Sequence, residues 1–164
     1  MELRFAHRLA RDLALVEATL LDGAFAPALA RRCPALAEAC VLAWSDEGEA
    51  VTRVTRFRAA RGGLGPAFAA LPSVAWIERV RWSRAAHAGR FEVAPELPAA
   101  LGRRVRCDGA YALVAQPDGT TLRRVDGDLV VRAPLVGAAA EARVAAMLGA
   151  LFEAEAALLM EGLG

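Results

Sequence analysis

No uncharged stretch of this chain approaches the ~18–20 apolar residues that span a bilayer, although 56% of its residues are hydrophobic. Alanine inflates that fraction, and the most apolar segment, Val144 to Met160, is broken by Glu153 and Glu155. A basic, apolar leader is missing at Met1, so the expected location is cytoplasmic. Lysine is absent, and all 20 basic residues are arginine. Planar guanidinium groups suit anion recognition, but the codon bias of a GC-rich genome explains the preference without any function. The formal net charge is only +1, with positive residues scattered among acids, so the electrostatic footprint of a nucleic-acid binder is missing. Cys33, Cys40 and Cys107 lack metal-ligand spacing and read as small buried hydrophobes in a reducing compartment. No Ser/His/Asp order or nucleophile motif is present. The glycines between Arg61 and Pro72 are not followed by the strand-glycine-helix unit of a phosphate cradle. Neither a metal nor a cofactor is expected.

The 164 residues fit one domain, 1–164, large enough to bury roughly 70% of its unfolded surface. Leu3, Phe5, His7 and Leu9 alternate with Arg4 and Arg8 as a half-buried strand. Asp12 offers an N-cap to a helix with the stripe Leu13, Val16 and Leu20. Asp22-Gly23 ends it, and a second short helix runs from Ala24 to about Arg32, so the pair forms a V. From Glu38 the period is two. Cys40, Leu42 and Trp44 are expected on one face, and a two-residue Glu47-Gly48 turn would set Trp44 against Val51 and Leu42 against Arg53. That places Arg53 inward with Thr55 and Phe57. The segment Arg61 to Pro72 reads as a loop with one helical turn at Ala67 to Leu71.

Val74, Trp76, Glu78, Val80 and Trp82 share one face of the next strand, making Glu78 the odd member of an apolar row. A short strand around Arg90 to Val93 follows. Gln116-Pro117-Asp118-Gly119 is the strongest turn signal. A type I turn with a glycine bulge opposes Tyr111 to Val125, Gly109 to Gly127, Cys107 to Leu129 and Val105 to Val131. It also opposes Asp108 to Asp128, a like-charge pair eased by Arg104 and Arg106. After the strand around Leu129 to Arg132, a long alanine-rich helix carries Val144, Leu148, Leu151, Phe152, Leu158 and Leu159 on one side, with Met147 at its margin. Arg143 and Glu161 fall opposite. Glu155 projects from the middle of the apolar side, whereas Glu141, in the first turn, is expected to be exposed.

Phe5-Ala6-His7-Arg8, the Asp12 helix start, Glu78-Arg79-Val80-Arg81-Trp82, Gly89-Arg90-Phe91 and the exit Pro134-Leu135-Val136-Gly137 stand in an order that resembles the START-like or SRPBCC superfamily. Within it the likeness is to a family of uncharacterised bacterial proteins, and it covers essentially the whole chain. The resemblance implies an α+β helix-grip fold: a curved antiparallel sheet of about seven strands around the long C-terminal helix, with two short helices after the first strand. It also implies a hydrophobic cavity between sheet and helix. Relatives bind sterols, lipids or polyketides, and some cyclise or aromatise them. Its motifs are structural, and no ligand residue is carried over.

The inward polar groups are His7, Arg53, Glu78, Tyr111 and Glu155. A lone buried carboxylate costs several kcal/mol unless paired or protonated, so the two glutamates and the arginine are expected to meet. Arg53 with Glu78 is either a cavity pair that orients a ligand or a rim ion pair. Glu155 is either a cavity-lining carboxyl of raised pKa or a wet position near the open end. His7 reads as a hydrogen-bonded core histidine, and His87 as an exposed turn residue. The candidate cavity lining is Arg53, Phe57, Trp76, Glu78, Trp82, Phe91, Tyr111, Leu129, Leu148, Phe152 and Glu155, of which the apolar members serve equally as core. The expected function is to bind or carry a hydrophobic small molecule (lipid, sterol-like or polyketide-like). The alternatives are a cyclase or aromatase in which Glu78, Arg53 or Glu155 handles protons, and a protein-interaction module whose cavity is collapsed.

Overall fold

The computed structural model describes residues 1–61, 74–98, 102–132 and 137–163. The expected turn at Ala67 to Leu71 and most of the Pro134 to Gly137 exit lie outside them. Strand β1 (Glu2–Leu9) keeps the expected alternation, with Leu3 and Leu9 buried. Helix α1 (Leu13–Leu20) starts where Asp12 accepts the Leu15 N–H at 3.0 Å. Helix α2 (Phe25–Arg32) starts where Asp22 accepts the Ala24 N–H at 2.7 Å. Pro27 falls in its first turn, where its missing N–H costs no intrahelical bond. The two helices meet at 88°, the expected V.

Six strands follow: β2 (Leu36–Asp46), β3 (Ala50–Ala59), β4 (Ala75–Ser83), β5 (Ala88–Pro95), β6 (Val105–Ala115) and β7 (Thr121–Val131). With β1 they form one antiparallel seven-stranded sheet in the order β1-β7-β6-β5-β4-β3-β2. The β6–β7 register is the one set by the glycine-bulged turn: Tyr111 opposes Val125, Cys107 opposes Leu129, and Asp108 opposes Asp128. Gly119 takes φ +80°, and the Gln116 N–H donates to the Thr120 carbonyl at 2.8 Å. Arg106 bonds Asp108 at 2.5 Å on the outer face.

The β2–β3 hairpin departs from expectation. It closes at Asp46 opposite Val51, and Trp44 opposes Arg53 instead of Val51. The turn is held open from a distance, because Arg84 donates to both Asp46 (2.7 Å) and the Gly48 carbonyl (2.5 Å). A bulge between Val41 and Ala43 then interrupts the pairing. An extra residue reverses which side chains face inward, so the single face of Cys40, Leu42 and Trp44 does not exist. Ala39 and Leu36 are buried in their place, and Leu42 is exposed.

Gly109 and Gly127 face each other on the concave side, and the Phe91 ring lies across both. A Cβ on Gly109 would meet the Phe91 ring at 2.6 Å and the Asp126 carbonyl at 2.3 Å. Helix α3 (Gly137–Glu161) packs on β1 and β7 and touches α1 and α2. Met147, Leu148, Leu151, Phe152, Leu158 and Leu159 form its buried side, while Arg143 is exposed and Glu161 pairs with Arg32. Glu141 is not the exposed residue expected. It accepts the Val131 N–H at 2.9 Å and so ties the helix start to the end of β7. No single described helix is long and apolar enough to cross a membrane.

Candidate functional site

Between the concave face and α3 lie four buried charges. Arg53 (β3) is two residues diagonal to Glu78 (β4) on the same face, since Thr55 opposes Glu78, and their side chains approach to 3.9 Å. The Arg53 Nη1–H also donates to the Leu20 carbonyl that ends α1, at 2.9 Å. From β6 the Tyr111 hydroxyl donates to Glu78 Oε1 at 2.8 Å. Glu155, buried on α3, is paired with Arg123 of β7. The Arg123 guanidinium is 5.4 Å from the centre of the Phe152 ring and 5.7 Å from that of Tyr111, positions that favour a cation. His7 continues the cluster towards solvent: its Nδ1 is 3.4 Å from Arg123 Nη1, and its Nε2 is 3.1 Å from the exposed Glu153.

Arg123 belongs to this site and is absent from the residues picked out by sequence. The signal was available, since the turn that sets Tyr111 against Val125 sets Leu113 against Arg123, hence inward. His7 is the expected hydrogen-bonded core histidine. His87 is only half exposed, and its ring bonds Glu17 at 3.1 Å. Glu17 also accepts the Trp82 indole N–H at 2.7 Å.

Burial pushes the Glu155 carboxyl up to about 7, with Glu78 reinforcing the shift and Arg123 and Arg53 opposing it. Burial, then the Glu78 and Glu155 charges, hold the Tyr111 phenol well above its usual range. Burial takes the Cys107 thiol to about 12, so it is not a nucleophile at neutral pH. Arg53 Nε, Arg123 Nε and Thr55 Oγ1 are buried without a hydrogen-bond partner among the described residues, leaving the cluster richer in donors than in acceptors. Among those residues no group of three or more His, Cys, Asp or Glu has the geometry to hold a metal ion.

The interior space divides in two. A pocket of about 10 Å³ borders Arg53, Tyr111, Trp82 and Glu155, roughly the volume that holds one water. A second cavity of about 90 Å³ has an almost wholly apolar wall that includes Trp76, Cys107, Leu129, Val144, Met147 and Leu148. Its deep side, at Trp76, Leu129 and Leu148, is buried, while Val74, Leu97, Val131 and Val144 at its rim are half exposed. Between the two stand Phe91, Tyr111 and Phe152, with Phe91 4.8 Å and Phe152 6.2 Å from Tyr111 between ring centres. The eleven candidate residues therefore do not ring one cavity. Trp76, Leu129 and Leu148 face the apolar space, and Arg53, Trp82, Tyr111 and Glu155 the polar one. Glu78 braces Tyr111, while Phe57 stacks on Trp76 at 5.5 Å behind the apolar wall.

The family model described as "Protein of unknown function (DUF2505)" matches residues 4–162. No curated protein matches the chain in sequence. Among solved structures, TTHA0849 from Thermus thermophilus superposes with a TM-score of 0.70 at 14% identity, covering 98% of each chain. The Zhui aromatase/cyclase from Streptomyces sp. R1128 gives 0.70 at 16% identity, over 98% of this chain and 92% of its own. A START superfamily protein from Mycobacterium smegmatis gives 0.66 at 16%, over 98% and 97%. At these identities the likeness is one of fold.

Proposed function

Because this chain belongs to the family described as "Protein of unknown function (DUF2505)" and has the helix-grip fold of the START-like superfamily, we propose, from its own geometry, that it binds a small apolar molecule between the sheet and α3. The observation that carries this reading is the apolar cavity of about 90 Å³. Filling a space of that size with hydrocarbon is worth about 2 kcal/mol at ~24 cal/mol per Å³, which favours an apolar occupant. Polar ligands are disfavoured, since the wall offers them no hydrogen-bonding partner beyond a protonated thiol. The charged cluster is closed off by its aromatic neighbours and has room for about one water, which argues against substrate chemistry there.

Solvent extraction of the purified protein followed by mass spectrometry should recover an apolar molecule, and added fatty acids should bind saturably. Val144→Trp, at the half-exposed rim, should fill the space and abolish both results while leaving the protein folded. Failure of the wild type to retain or take up any apolar compound would mean that the interior is simply core.

A further inference from the structure

Among the described residues, the cavity meets the outer face of the sheet where β5 and β6 part. Strands β5 and β6 pair from Ala88 opposite Ala112 to Val93 opposite Cys107, and then stop. Both strands continue: Ala94 and Pro95 stay paired with Ile77 and Trp76 of β4, and Val105 and Arg106 stay paired with Val131 and Val130 of β7. The next two pairs that the register would make, Ala94 with Arg106 and Pro95 with Val105, are not formed. Pro95 has no N–H with which to close the gap. The sheet is therefore split from one end, between its third and fourth strands.

A groove of about 580 Å³ lies on this split. Val93, Pro95, Val105 and Cys107 line both the groove and the inner cavity, so one layer of side chains separates them. The outer lip is polar: Glu92, Arg106 and Asp108 border it with Arg103. We infer that the β5–β6 split is the portal of the cavity, and that its ligand is a single-chain amphiphile whose hydrocarbon tail passes between Val93 and Val105 while its polar head stays at that lip. Three observations converge on this arrangement. The inner wall has no partner for a polar head, the lip offers both charge signs, and the barrier between them consists of small or medium apolar side chains without a backbone ladder.

This inference rests on the binding reading above, and the test separates the two. Brominated laurate would be mixed with the protein in stopped flow and followed through quenching of tryptophan fluorescence, to which Trp76 in the cavity wall contributes. The wild type should quench saturably. A disulfide between Ala94→Cys and Arg106→Cys, with its pairing verified by mass spectrometry, would staple the split. Compared with the reduced form of the same variant, which carries the same loss of Arg106 from the lip, it should slow association and dissociation together by about tenfold or more, because it raises the barrier common to both directions, and leave the ratio of the two rates unchanged. Reductant should restore both rates, and Ala94→Trp, which obstructs the groove without a covalent bond, should also slow both. Dodecanedioate should not compete, since its second carboxylate would have to sit unpaired in the apolar space. Wild-type exchange rates in both the oxidised staple and Ala94→Trp would overturn the portal, and competition by the diacid would overturn the tail-first orientation. No quenching of the wild type at any concentration would instead defeat the binding reading itself, and the portal with it.

Discussion

Losing Arg123 and losing Arg123 together with Glu155 should have very different consequences. Arg123 is 1% exposed and Glu155 4%, so removing one partner leaves the other charge or dipole buried without compensation. Arg123→Met alone should cost about 3–5 kcal/mol in urea unfolding, and the double variant Arg123→Met with Glu155→Leu far less, because matched apolar groups can replace a buried pair at little cost. Glu155 also predicts a pH dependence. Its folded pKa is raised from 4.5 to about 7, so between those values the folded protein holds a proton that the unfolded chain has released. Stability from this group is complete below pH about 4.5 and falls as pH rises through about 7. Urea midpoints measured across that window should decline in the wild type. Glu155→Gln, whose neutral amide oxygen can still accept from Arg123, should lose this part of the slope; equal slopes in the two proteins would mean that Glu155 is ionised across the whole window. The misplaced acid was legible in the sequence from its place on the apolar side of the helix. Its partner was not singled out, since an arginine in a strand of alternating charges reads as a surface residue until the register turns it inward.

Among the elements, the β6–β7 hairpin was legible to the residue because a proline and a glycine within one four-residue turn decide its geometry locally. The β2–β3 hairpin was not, because its turn is shaped by Arg84, more than thirty residues away in sequence, and its inward face is reversed by a bulge that no local pattern announces. The same distinction applies to curvature. Opposed glycines at 109 and 127 read as a weak point in two strands, whereas the Phe91 ring turns them into a packing site. Gly109→Ala should therefore be destabilising by about 1–3 kcal/mol or more, as overpacking is in a closed site, since the added methyl meets the fixed Asp126 carbonyl as well as the movable ring. Thermal denaturation of that variant checks the point, and a neutral result would show that the two strands separate there readily. Glu141 marks another limit of periodicity: helical phase places it outward, but a long side chain just past the first turn can reach back to the preceding strand.

At the scale of the molecule, order of elements, strand count and the gripping helix followed from the sequence, whereas the division of the interior into an apolar and a polar chamber did not. That division depends on three aromatic rings from three different elements meeting at mid-depth. If the apolar chamber is a binding site, occupancy must stabilise the whole fold by linkage. An apolar ligand at about 100 times its Kd adds roughly 2.7 kcal/mol, which for a chain of this length raises Tm by several degrees at about 2–4 °C per kcal/mol. Calorimetry with and without laurate measures that shift, which Val144→Trp should eliminate. The chamber has a further consequence under compression. An apolar-walled space of about 90 Å³ disappears when the chain unfolds and water reaches its walls, so the unfolded state occupies less volume. The contribution falls within the ~20–100 mL/mol by which proteins typically contract on unfolding. Hydrostatic pressure therefore acts on this molecule through the space under α3, and a hydrocarbon chain seated there would protect the fold by occupying the volume that pressure would otherwise remove.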